Sequence, residues 1–505
     1  MTDREMVRTG IAGLDAILAG GIPRGNLVLL EGGIGTGKTT LGVEFIYRGA
    51  SQFDEPGIIV VFEAAPDKIV RDAMQLGWDL SALERANKLK IIFTTRQVFA
   101  QELQQADSLL LEEATKIGAR RIFVDGVPGS ISVMGGGGML EARDTFHVLA
   151  EGLQRENLTA VLAVEATAFS EQGQPALPEE SIADTVIRLR MEDLTRATVR
   201  SIEIVKSRGH DYQMGQHTAR IIDGRGMEVY RRVQAPRGSR DVAAAFDPTT
   251  RITTGVPGLD ALVNGGYLLG STTVIAGISG VGKSVMGLHF LAEGARLGQR
   301  SLMFSLDEPV RQIIRNANSI GIDLQKLIDA GMVRVIYDTP QEIEIDRHFH
   351  DLETAVHDFT PTRVLFDSLS TYGSNLGVTG RMFRDFFHAL IALMKEAQTA
   401  TVYNHENPEM LGMASMMGDF HMSSLIDNIL LMNWIEIGDV FRLGLTVAKM
   451  RANPNMRATN ECEIVSGQGM RVLPRQIPAA LVRPFSGFLN LISRNPARSP
   501  DPVTP

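Results

Sequence analysis

The sequence contains two short glycine-rich stretches in which glycine, lysine and hydroxyl residues have the same spacing. GGIGTGKT runs from Gly32 to Thr39, and GISGVGKS runs from Gly277 to Ser284. Each follows an apolar run and precedes a segment of helical periodicity. In such a loop several backbone N–H groups face a phosphate, the lysine reaches the β and γ phosphates, and the hydroxyl binds Mg²⁺. One match can be a chance strand-to-helix turn, but two in this context predict two nucleotide sites.

ATP and Mg²⁺ are the cofactors that these loops imply, and each loop with the residue after it is expected to contact ATP. In the first loop these residues are Gly32, Gly33, Ile34, Gly35, Thr36, Gly37, Lys38, Thr39 and Thr40. In the second loop they are Gly277, Ile278, Ser279, Gly280, Val281, Gly282, Lys283, Ser284 and Val285. Thr39 and Ser284 carry the hydroxyls expected to bind the metal.

The two loops belong to a duplication that covers nearly the whole chain. The pattern T-G-x-x-G-L-D begins at Thr9 and again at Thr254, and the same 245 residues separate Lys38 from Lys283. A period this long indicates two tandem domains, because solenoid repeats span about 20–50 residues. We expect a first domain at 1–234, a linker at 235–248, a second domain at 249–474, and a largely disordered tail at 475–505.

Within each repeat, short β-branched runs alternate with segments of helical period. In the first repeat the predicted strands include 57–62, 121–125 and 160–164, and the predicted helices are 67–76, 101–117 and 140–156. Near-continuous apolar strands that alternate with helices are typical of a parallel sheet covered on both faces. The predicted fold class is therefore α/β, with two tandem P-loop domains, each a mostly parallel sheet with helices on both faces.

Composition narrows the function classes. The net charge of −9 comes without a long run of either sign, so no basic arm indicates nucleic-acid binding. Cys462 is the single cysteine, which excludes a disulfide within one chain. An apolar signal core and a bilayer span of roughly 20 residues are both missing, so we expect a cytoplasmic protein without a membrane partner. His348 and His350 alternate as on an exposed strand or turn and give little reason to expect a metal site.

Acidic residues follow the predicted strands where a P-loop site needs them. Asp125 and Asp367 each end a short apolar run, in the form of a Walker B acid that holds Mg²⁺. Glu63 follows another strand in the first repeat, and Asp307 with Glu308 follows its counterpart. A carboxylate there can polarise an attacking water or hydroxyl. An acid at a strand end can also cap a turn or stay solvated, so spacing alone leaves these roles open.

Together these motifs resemble the KaiC family, the double-domain RecA/DnaB-type ATPases of the circadian clock. The resemblance covers roughly residues 5 to 473 and includes the Phe62-Glu63 strand end, the Gly-Trp-Asp-Leu stretch beginning at Gly77 and the late Lys449-Met450-Arg451. It implies two RecA-like P-loop NTPase domains and ATP hydrolysis in both. It further implies a homo-hexamer with ATP at the subunit interfaces, and autophosphorylation on serine or threonine in the second domain.

The resemblance also implies catalytic roles for the acids. Family members carry adjacent carboxylates as bases, and Asp307-Glu308 matches that pair with one Asp substitution. Glu63 is followed by Ala64, where the family has a second Glu. Slower or different hydrolysis is therefore expected in the first domain.

Two further sets of residues match family motifs. A Lys-x-Arg motif that reaches the neighbouring subunit's γ-phosphate is matched by Lys206 and Arg208, and by Lys449 and Arg451. The two adjacent hydroxyl residues that the family phosphorylates are matched by Ser423 and Ser424. Without the family, Lys-x-Arg on a strand is usually a solvated face, and the serines would form a helix cap or a buried turn.

The resemblance implies a KaiB-like or other signalling protein as partner. Residues after about 475, however, do not resemble the family's activator-binding segment, which argues against regulation by the usual clock partners. A RecA/DnaB-like DNA motor is one alternative, but the loop after Asp125 is glycine-rich and uncharged, which argues against contacts with phosphate backbones. A nucleotide-gated signalling scaffold with little catalysis is the other alternative.

Overall fold

A computed structural model shows two compact units, Met1–Arg232 and Val233–Pro505. It describes residues 5–102, 109–127, 146–147, 150–153, 155–165, 178–194, 197–235, 249–339, 344–375, 380–406, 424–437, 440–451 and 458–478. Most of the expected linker (236–248) and of the expected tail (479–505) lies outside these residues. Among the helices in the described ranges, none is both long and apolar enough to cross a membrane.

In its described part, the first unit is built on one nine-stranded sheet. The sheet contains β3 (Leu27–Gly32), β4 (Gly57–Val61), β5 (Leu89–Phe93), β6 (Arg121–Val127), β7 (Thr159–Glu165), β8 (Thr185–Leu194), β9 (Ala197–Ser207), β10 (Gln216–Ile222) and β11 (Gly226–Tyr230). Two short strands, β1 (Met6–Val7) and β2 (Ile22–Pro23), pair with each other in a separate two-stranded sheet. The helices of the first unit are α1 (Leu14–Ile17), α2 (Lys38–Gln52), α3 (Pro66–Gln75), α4 (Leu80–Arg85), α5 (Arg96–Glu102), α6 (Leu109–Ile117) and α7 (Pro178–Ile182). The strand order is β5-β4-β6-β7-β3-β8-β9-β10-β11, parallel from β5 to β8 and antiparallel beyond.

The described part of the second unit repeats this sheet in the order β16-β15-β17-β18-β14-β19-β20-β21-β22. The sheet contains β14 (Thr272–Gly277), β15 (Ser301–Ser305), β16 (Val333–Tyr337), β17 (Arg363–Asp367), β18 (Ala400–Glu406), β19 (Asn428–Ile437), β20 (Val440–Met450), β21 (Thr459–Val465) and β22 (Gly469–Ile477). Two short strands, β12 (Arg251–Ile252) and β13 (Tyr267–Leu268), pair with each other separately. The helices of the second unit are α8 (Leu259–Leu262), α9 (Lys283–Arg296), α10 (Val310–Ser319), α11 (Leu324–Asp329), α12 (Ile345–Phe359), α13 (Leu369–Asn375) and α14 (Gly380–Glu396). The matching orders confirm the α/β class and the duplication.

The central strand of each sheet is buried along its whole length. In β3, Val28 and Leu30 pack into one apolar cluster, while Leu27 and Leu29 pack into another. Successive side chains of a strand point to opposite faces of the sheet, so the two clusters lie on its two sides. The expectation of a sheet covered on both faces is confirmed.

Two glycines let the helix after each P-loop approach the neighbouring strand closely. A Cβ on Gly42 of α2 would lie 2.0 Å from a ring carbon of Phe123 on β6. A Cβ on Gly287 of α9 would lie 2.6 Å from Leu365 on β17. A side chain at either glycine would displace the helix, and with it the start of the helix where the lysine and hydroxyl lie.

A buried arginine at the start of β6 joins that strand to α2, and one at the start of β17 joins that strand to α9. Arg121 Nη1 donates to the carbonyl oxygen of Phe45 at 3.1 Å, and Arg363 Nη1 donates to that of Phe290 at 3.1 Å. Each guanidinium also lies over the ring of that phenylalanine, at 4.7 Å and 4.8 Å from the centroid. Arg121 is further paired with Glu55, which offsets the cost of burying its charge.

Some element boundaries differ from the sequence expectations. The helix expected at 67–76 is α3, whereas the one expected at 101–117 corresponds to parts of α5 and α6, with 103–108 outside the described residues. About half of the helix expected at 140–156 lies outside as well, and 146–147, 150–153 and 155 are helical. The last strand continues to Ile477, beyond the expected domain end at 474.

The interpretation of His348 and His350 was wrong, because both lie on helix α12. The apolar residues Phe349, Leu352 and Val356 recur at helical spacing and bury one face of the helix, which outweighs the alternation of two histidines. His348 is buried, with Nδ1 2.8 Å from Asp338 Oδ2 and Nε2 2.8 Å from the hydroxyl of Tyr372. Its two ring nitrogens therefore have protein partners.

Candidate functional site: two phosphate-binding loops and their acids

The first glycine-rich loop joins the end of β3 to the start of α2. Gly35 and Gly37 have φ of 79° and 104°, a backbone conformation that L side chains rarely adopt. Lys38 Nζ donates to the carbonyl oxygens of Gly32 at 2.7 Å and Gly33 at 2.8 Å. Burial lowers the pKa of Lys38, and the charges of Glu165 and Asp125 oppose that change.

The second loop has the same geometry between β14 and α9. Gly280 and Gly282 have φ of 79° and 89°. Lys283 Nζ donates to the carbonyl oxygens of Gly277 at 2.9 Å and Ile278 at 2.8 Å. Both loops thus have the turn, the lysine and the helix N-terminus that a triphosphate needs.

Each Walker B acid lies beside the hydroxyl residue of its loop. Thr39 Oγ1 donates to Asp125 Oδ2 at 2.8 Å, and Ser284 forms the corresponding hydrogen bond to Asp367. Burial raises the pKa of both carboxyl groups, and these hydrogen bonds partly offset the change. A hydroxyl and a carboxylate are the oxygen donors that Mg²⁺ prefers, and a nearby cation would relieve the cost of the buried charge, so these residues fit Mg²⁺.

The two acids after β15 have different surroundings. Asp307 accepts hydrogen bonds from Ser368 Oγ at 2.7 Å and from Thr371 Oγ1 at 2.5 Å. Its charge also opposes the lowering of the pKa of Lys283 by burial, so it lies near the P-loop. Asp307 remains exposed to solvent, where an incoming hydroxyl can reach it.

Glu308, by contrast, is held by the helix that follows it. Its carboxylate accepts hydrogen bonds from the side-chain amides of Gln312 and Asn316 on α10, each at 3.0 Å. The charges of both acids contribute to the raised pKa of Asp367, and Asp307 is the one that also acts on Lys283 of the phosphate loop.

The corresponding acid of the first unit, Glu63, is engaged by a cation. Arg96 donates to the Glu63 carboxylate through Nη2 and to the carbonyl oxygen of Gly126 through Nε, the latter at 2.9 Å. The charge of Glu63 contributes to the raised pKa of Asp125, so it lies close to the Walker B acid.

Sequence reasoning missed an acid at the end of the strand beside each P-loop strand. Glu165 pairs in register with Gly32, and Glu406 pairs with Gly277. Each is the largest charge opposing the lowered pKa of the lysine in its loop. The signal was present, because Glu165 directly follows the predicted strand 160–164.

A methionine behind each loop was also missed. A Cβ on Gly37 would lie 3.1 Å from the terminal methyl of Met227, and one on Gly282 would lie 2.7 Å from that of Met470. The repeated Gly-x-Gly-Met stretch was visible in the sequence, but its contact with the P-loop depends on how the hairpins β10–β11 and β21–β22 fold back.

The backbone of each of these methionines is held by a titratable side chain of the P-loop helix. The Met227 N–H donates to the Glu44 carboxylate at 2.8 Å, and the Met470 N–H donates to His289 Nε2 at 2.9 Å. Burial raises the pKa of Glu44 to about 7 and lowers the pKa of His289. A neutral His289 has the ring lone pair that this bond requires.

The Lys-x-Arg motif of the second unit contacts the segment just before β19. Arg451 Nη2 donates to the carbonyl oxygen of Ser424 at 2.6 Å, and Arg451 Nη1 donates to Asp427 at 2.9 Å. Lys449 Nζ donates to the carbonyl oxygen of Ile426 at 2.7 Å. Ser424 is exposed, and Ser423 lies outside the described residues.

The Lys-x-Arg motif of the first unit contacts the matching segment before β8. Lys206 Nζ donates to the carbonyl oxygens of Glu180 at 2.8 Å and Ala183 at 2.6 Å. Arg208 Nη2 donates to that of Ser181 at 2.6 Å. Both motifs therefore hold the same stretch of backbone in their units.

Comparisons with known proteins agree with this architecture. The family model described as "ATPase: KaiC" matches residues 7–234 and again 252–477. The circadian clock oscillator protein KaiC of Picosynechococcus sp. is 29% identical over 502 residues, 98% of this chain and 93% of the relative. The protein of the same name from Parathermosynechococcus lividus is 30% identical over 499 residues, 97% of this chain and 88% of the relative. That from Synechococcus elongatus is 28% identical over 500 residues, with 97% and 92% covered. The resemblance inferred from the motifs is confirmed, and the chain belongs to the KaiC family of ATPases.

Proposed function

We propose that this protein is an ATPase and serine autokinase of KaiC type, which hydrolyses ATP in both domains and phosphorylates Ser423 and Ser424 in the second. In this proposal it works in the cytoplasm as a homo-hexamer with ATP between subunits. Its output is signalling or clock-type regulation through a KaiB-like or other protein partner. The domain limits of 1–234 and 249–474 are part of the same proposal.

ATP binding follows from the geometry of the two loops. Backbone N–H groups of each loop and the ammonium of Lys38 or Lys283 would hold the β and γ phosphates. Thr39 with Asp125, and Ser284 with Asp367, would hold Mg²⁺, which neutralises phosphate charge when bound.

In the second domain, Asp307 would accept the proton of the attacking hydroxyl. The serine Oγ bonds to the γ-phosphorus, the bond from that phosphorus to the β–γ bridging oxygen breaks, ADP leaves, and the hydroxyl proton moves to the Asp307 carboxylate. The hydrogen bonds from Ser368 and Thr371 fix the carboxylate while leaving lone pairs for the proton.

The kinase proposal is supported by the segment that Lys449 and Arg451 hold, because it is the one with two adjacent acceptor hydroxyls. The matching segment of the first unit, held by Lys206 and Arg208, has Glu180 at the position of Ser423. The family resemblance assigns these same side chains to the γ-phosphate of the neighbouring subunit's ATP. One short motif would then position both the acceptor backbone and the phosphoryl group. Such positioning accounts for much of the rate in phosphoryl transfer.

In the first domain the acceptor would be water, with Glu63 as the base. Glu180 occupies the position of Ser423 in the repeat, so the first domain lacks the first acceptor hydroxyl. We expect this site chiefly to bind ATP and hold the ring together, with slow hydrolysis.

Incubation of the full chain with labelled ATP, followed by peptide mapping, tests the proposal. We expect label in the peptide 418–430, lost in a Ser423→Ala/Ser424→Ala variant and in Lys283→Ala. Label elsewhere in the chain, or none despite ATP turnover, would refute the kinase role and leave the ATPase role to be measured separately.

A further inference from the structure

Arg96 joins the ends of two strands beside the first P-loop. It lies at the start of α5, just after β5, and donates to the Glu63 carboxylate and to the carbonyl oxygen of Gly126, which follows the Walker B acid. Its guanidinium carbon lies 5.6 Å from the centroid of the Phe62 ring. These three contacts hold a cation against the carboxylate that the proposed function uses as a base.

This contact opposes the work of a general base. A carboxylate that takes a proton from water must direct a lone pair at that water, and its negative charge makes it basic. An arginine that donates to the carboxylate occupies one of its lone pairs and fixes the side chain toward itself. Because Ala64 follows Glu63, the sequence provides no second carboxylate at this strand end.

We propose that Arg96 is a positioning residue that restrains Glu63 and thereby slows ATP hydrolysis in the first domain. This inference rests on the proposed function, in which Glu63 is the base of that site. The slow turnover expected from the sequence then has a named physical cause in addition to the missing second acid.

The second unit shows the contrast. Asp307, the counterpart of Glu63, is held by the neutral hydroxyls of Ser368 and Thr371, which position the carboxylate without cancelling its charge. The position that matches Arg96, three residues after the edge strand, is Pro340, which lies outside the described residues and carries no charge. The cationic restraint is thus tied to a residue of the first repeat.

Solvent exposure limits how strong the restraint can be. The side chains of Glu63 and Arg96 are 77% and 44% exposed, so water and ions screen the pair. Exposed ion pairs of this kind change the equilibrium between the paired and the free side chain by about 2- to 5-fold. A change of that size in turnover is measurable and separates a restraint from a residue that the reaction requires.

The experiment measures ATP turnover by the full chain carrying Lys283→Ala, which silences the second site. In that background Arg96→Gln should raise kcat by about 2- to 5-fold with little change in KM. Arg96→Lys, which keeps the charge, should stay closer to the parent. Arg71→Gln is the matched control, because Arg71 is an exposed arginine of the same unit that pairs with the adjacent Asp72.

The dependence of ATP turnover on ionic strength is a second measurement, and loss of structure would not reproduce the expected result. Raising ionic strength should increase turnover of the parent, since it screens the Arg96–Glu63 pair, and should change Arg96→Gln much less. This comparison also tests the inference if Arg96→Gln assembles poorly, because the parent alone shows the salt response.

Glu63→Gln in the Lys283→Ala background distinguishes a failure of this inference from a failure of the proposed function on which it rests. If Glu63→Gln abolishes turnover while Arg96→Gln leaves it unchanged or lowers it, Arg96 does not restrain Glu63. The assignment of Glu63 as the base remains supported in that case. If Glu63→Gln has no effect, or the background shows no turnover at all, the proposed base fails and the inference fails with it.

Discussion

Replacement of Asp307 by Asn tests which of the two neighbouring acids takes the proton. Asn keeps one acceptor oxygen, so one of the two hydroxyl contacts, with Ser368 at 2.7 Å or Thr371 at 2.5 Å, can persist and the side chain stays near its place. The other hydroxyl then faces the asparagine NH2 and accepts where it previously donated, so a hydrogen bond to a charged group, which contributes about 1.5–3 kcal/mol, is replaced by a neutral one. Loss of the proton acceptor itself costs about 100- to 10,000-fold in rate. We therefore expect phosphoryl transfer to fall by at least about 100-fold.

Glu308→Gln is the matched control for this variant. Its amide neighbours Gln312 and Asn316 can reorient to pair with a glutamine, and a partly exposed exchange of this kind changes free energy by about 0.5 kcal/mol or less, near a twofold change in rate. The assay follows incorporation of label from saturating ATP by each full-length variant, after its assembly has been checked. Retention of more than about a tenth of the wild-type rate in Asp307→Asn, or an equal fall in Glu308→Gln, would refute the assignment of Asp307 as the base.

Three further substitutions, at Glu44, Gly282 and Thr371, change residues that support the two sites. Burial raises the pKa of Glu44 from 4.5 to about 7, so its contribution to the free energy of unfolding is full below the lower value and is lost as the pH rises through the higher. The difference between wild type and Glu44→Gln should shift by about 3 kcal/mol across this range, measured by urea unfolding and tryptophan fluorescence in a Trp434→Phe background. Gly282→Ala should weaken ATP binding at the second loop by more than about 10-fold, measured by calorimetry, because a Cβ at φ 89° would lie 2.7 Å from Met470. Thr371→Val should slow phosphorylation by about 10-fold, with Thr371→Ser retaining most of the rate. For Glu44→Gln, a difference in the free energy of unfolding that does not change with pH would contradict the prediction. For Gly282→Ala the contradicting result is an unchanged ATP affinity, and for Thr371→Val it is a wild-type rate of phosphorylation.

Much of the fold could be predicted because the sequence signals are local and occur twice. Glycines with positive φ, a lysine at a fixed spacing and a buried strand before them define each loop without information from distant residues. The parallel sheet followed from apolar runs such as Leu27 to Leu30, which bury both faces. Because the sequence is duplicated, each element predicted in one repeat could also be predicted at the matching position of the other.

The surroundings of the acids could not be predicted in the same way. Asp307 and Glu308 are adjacent in the sequence, yet hydroxyls that follow β17 hold one and amides of α10 hold the other. The pairing of Arg96 with Glu63 joins residues from the ends of different strands. Contacts of this kind depend on strand order, which a single sequence does not reveal.

The expectation that His348 lies on an exposed strand or turn was wrong for the same reason, because its contacts are with residues distant in the sequence. Spacing in the sequence placed His348 at the surface, but its partners Asp338 and Tyr372 come from the end of β16 and from α13. Such partners become visible only after the sheet has assembled.

We propose that the two loops have different roles, in which the first assembles the ring and the second transfers the phosphoryl group. Native mass spectrometry of the full chain with ATP tests it directly, because one spectrum reads both oligomer size and added phosphate. Lys283→Ala should form the hexamer without gaining phosphate, and Lys38→Ala should lose the hexamer. Phosphate on Lys283→Ala, or an intact hexamer of Lys38→Ala, would show that the two loops do not divide these roles.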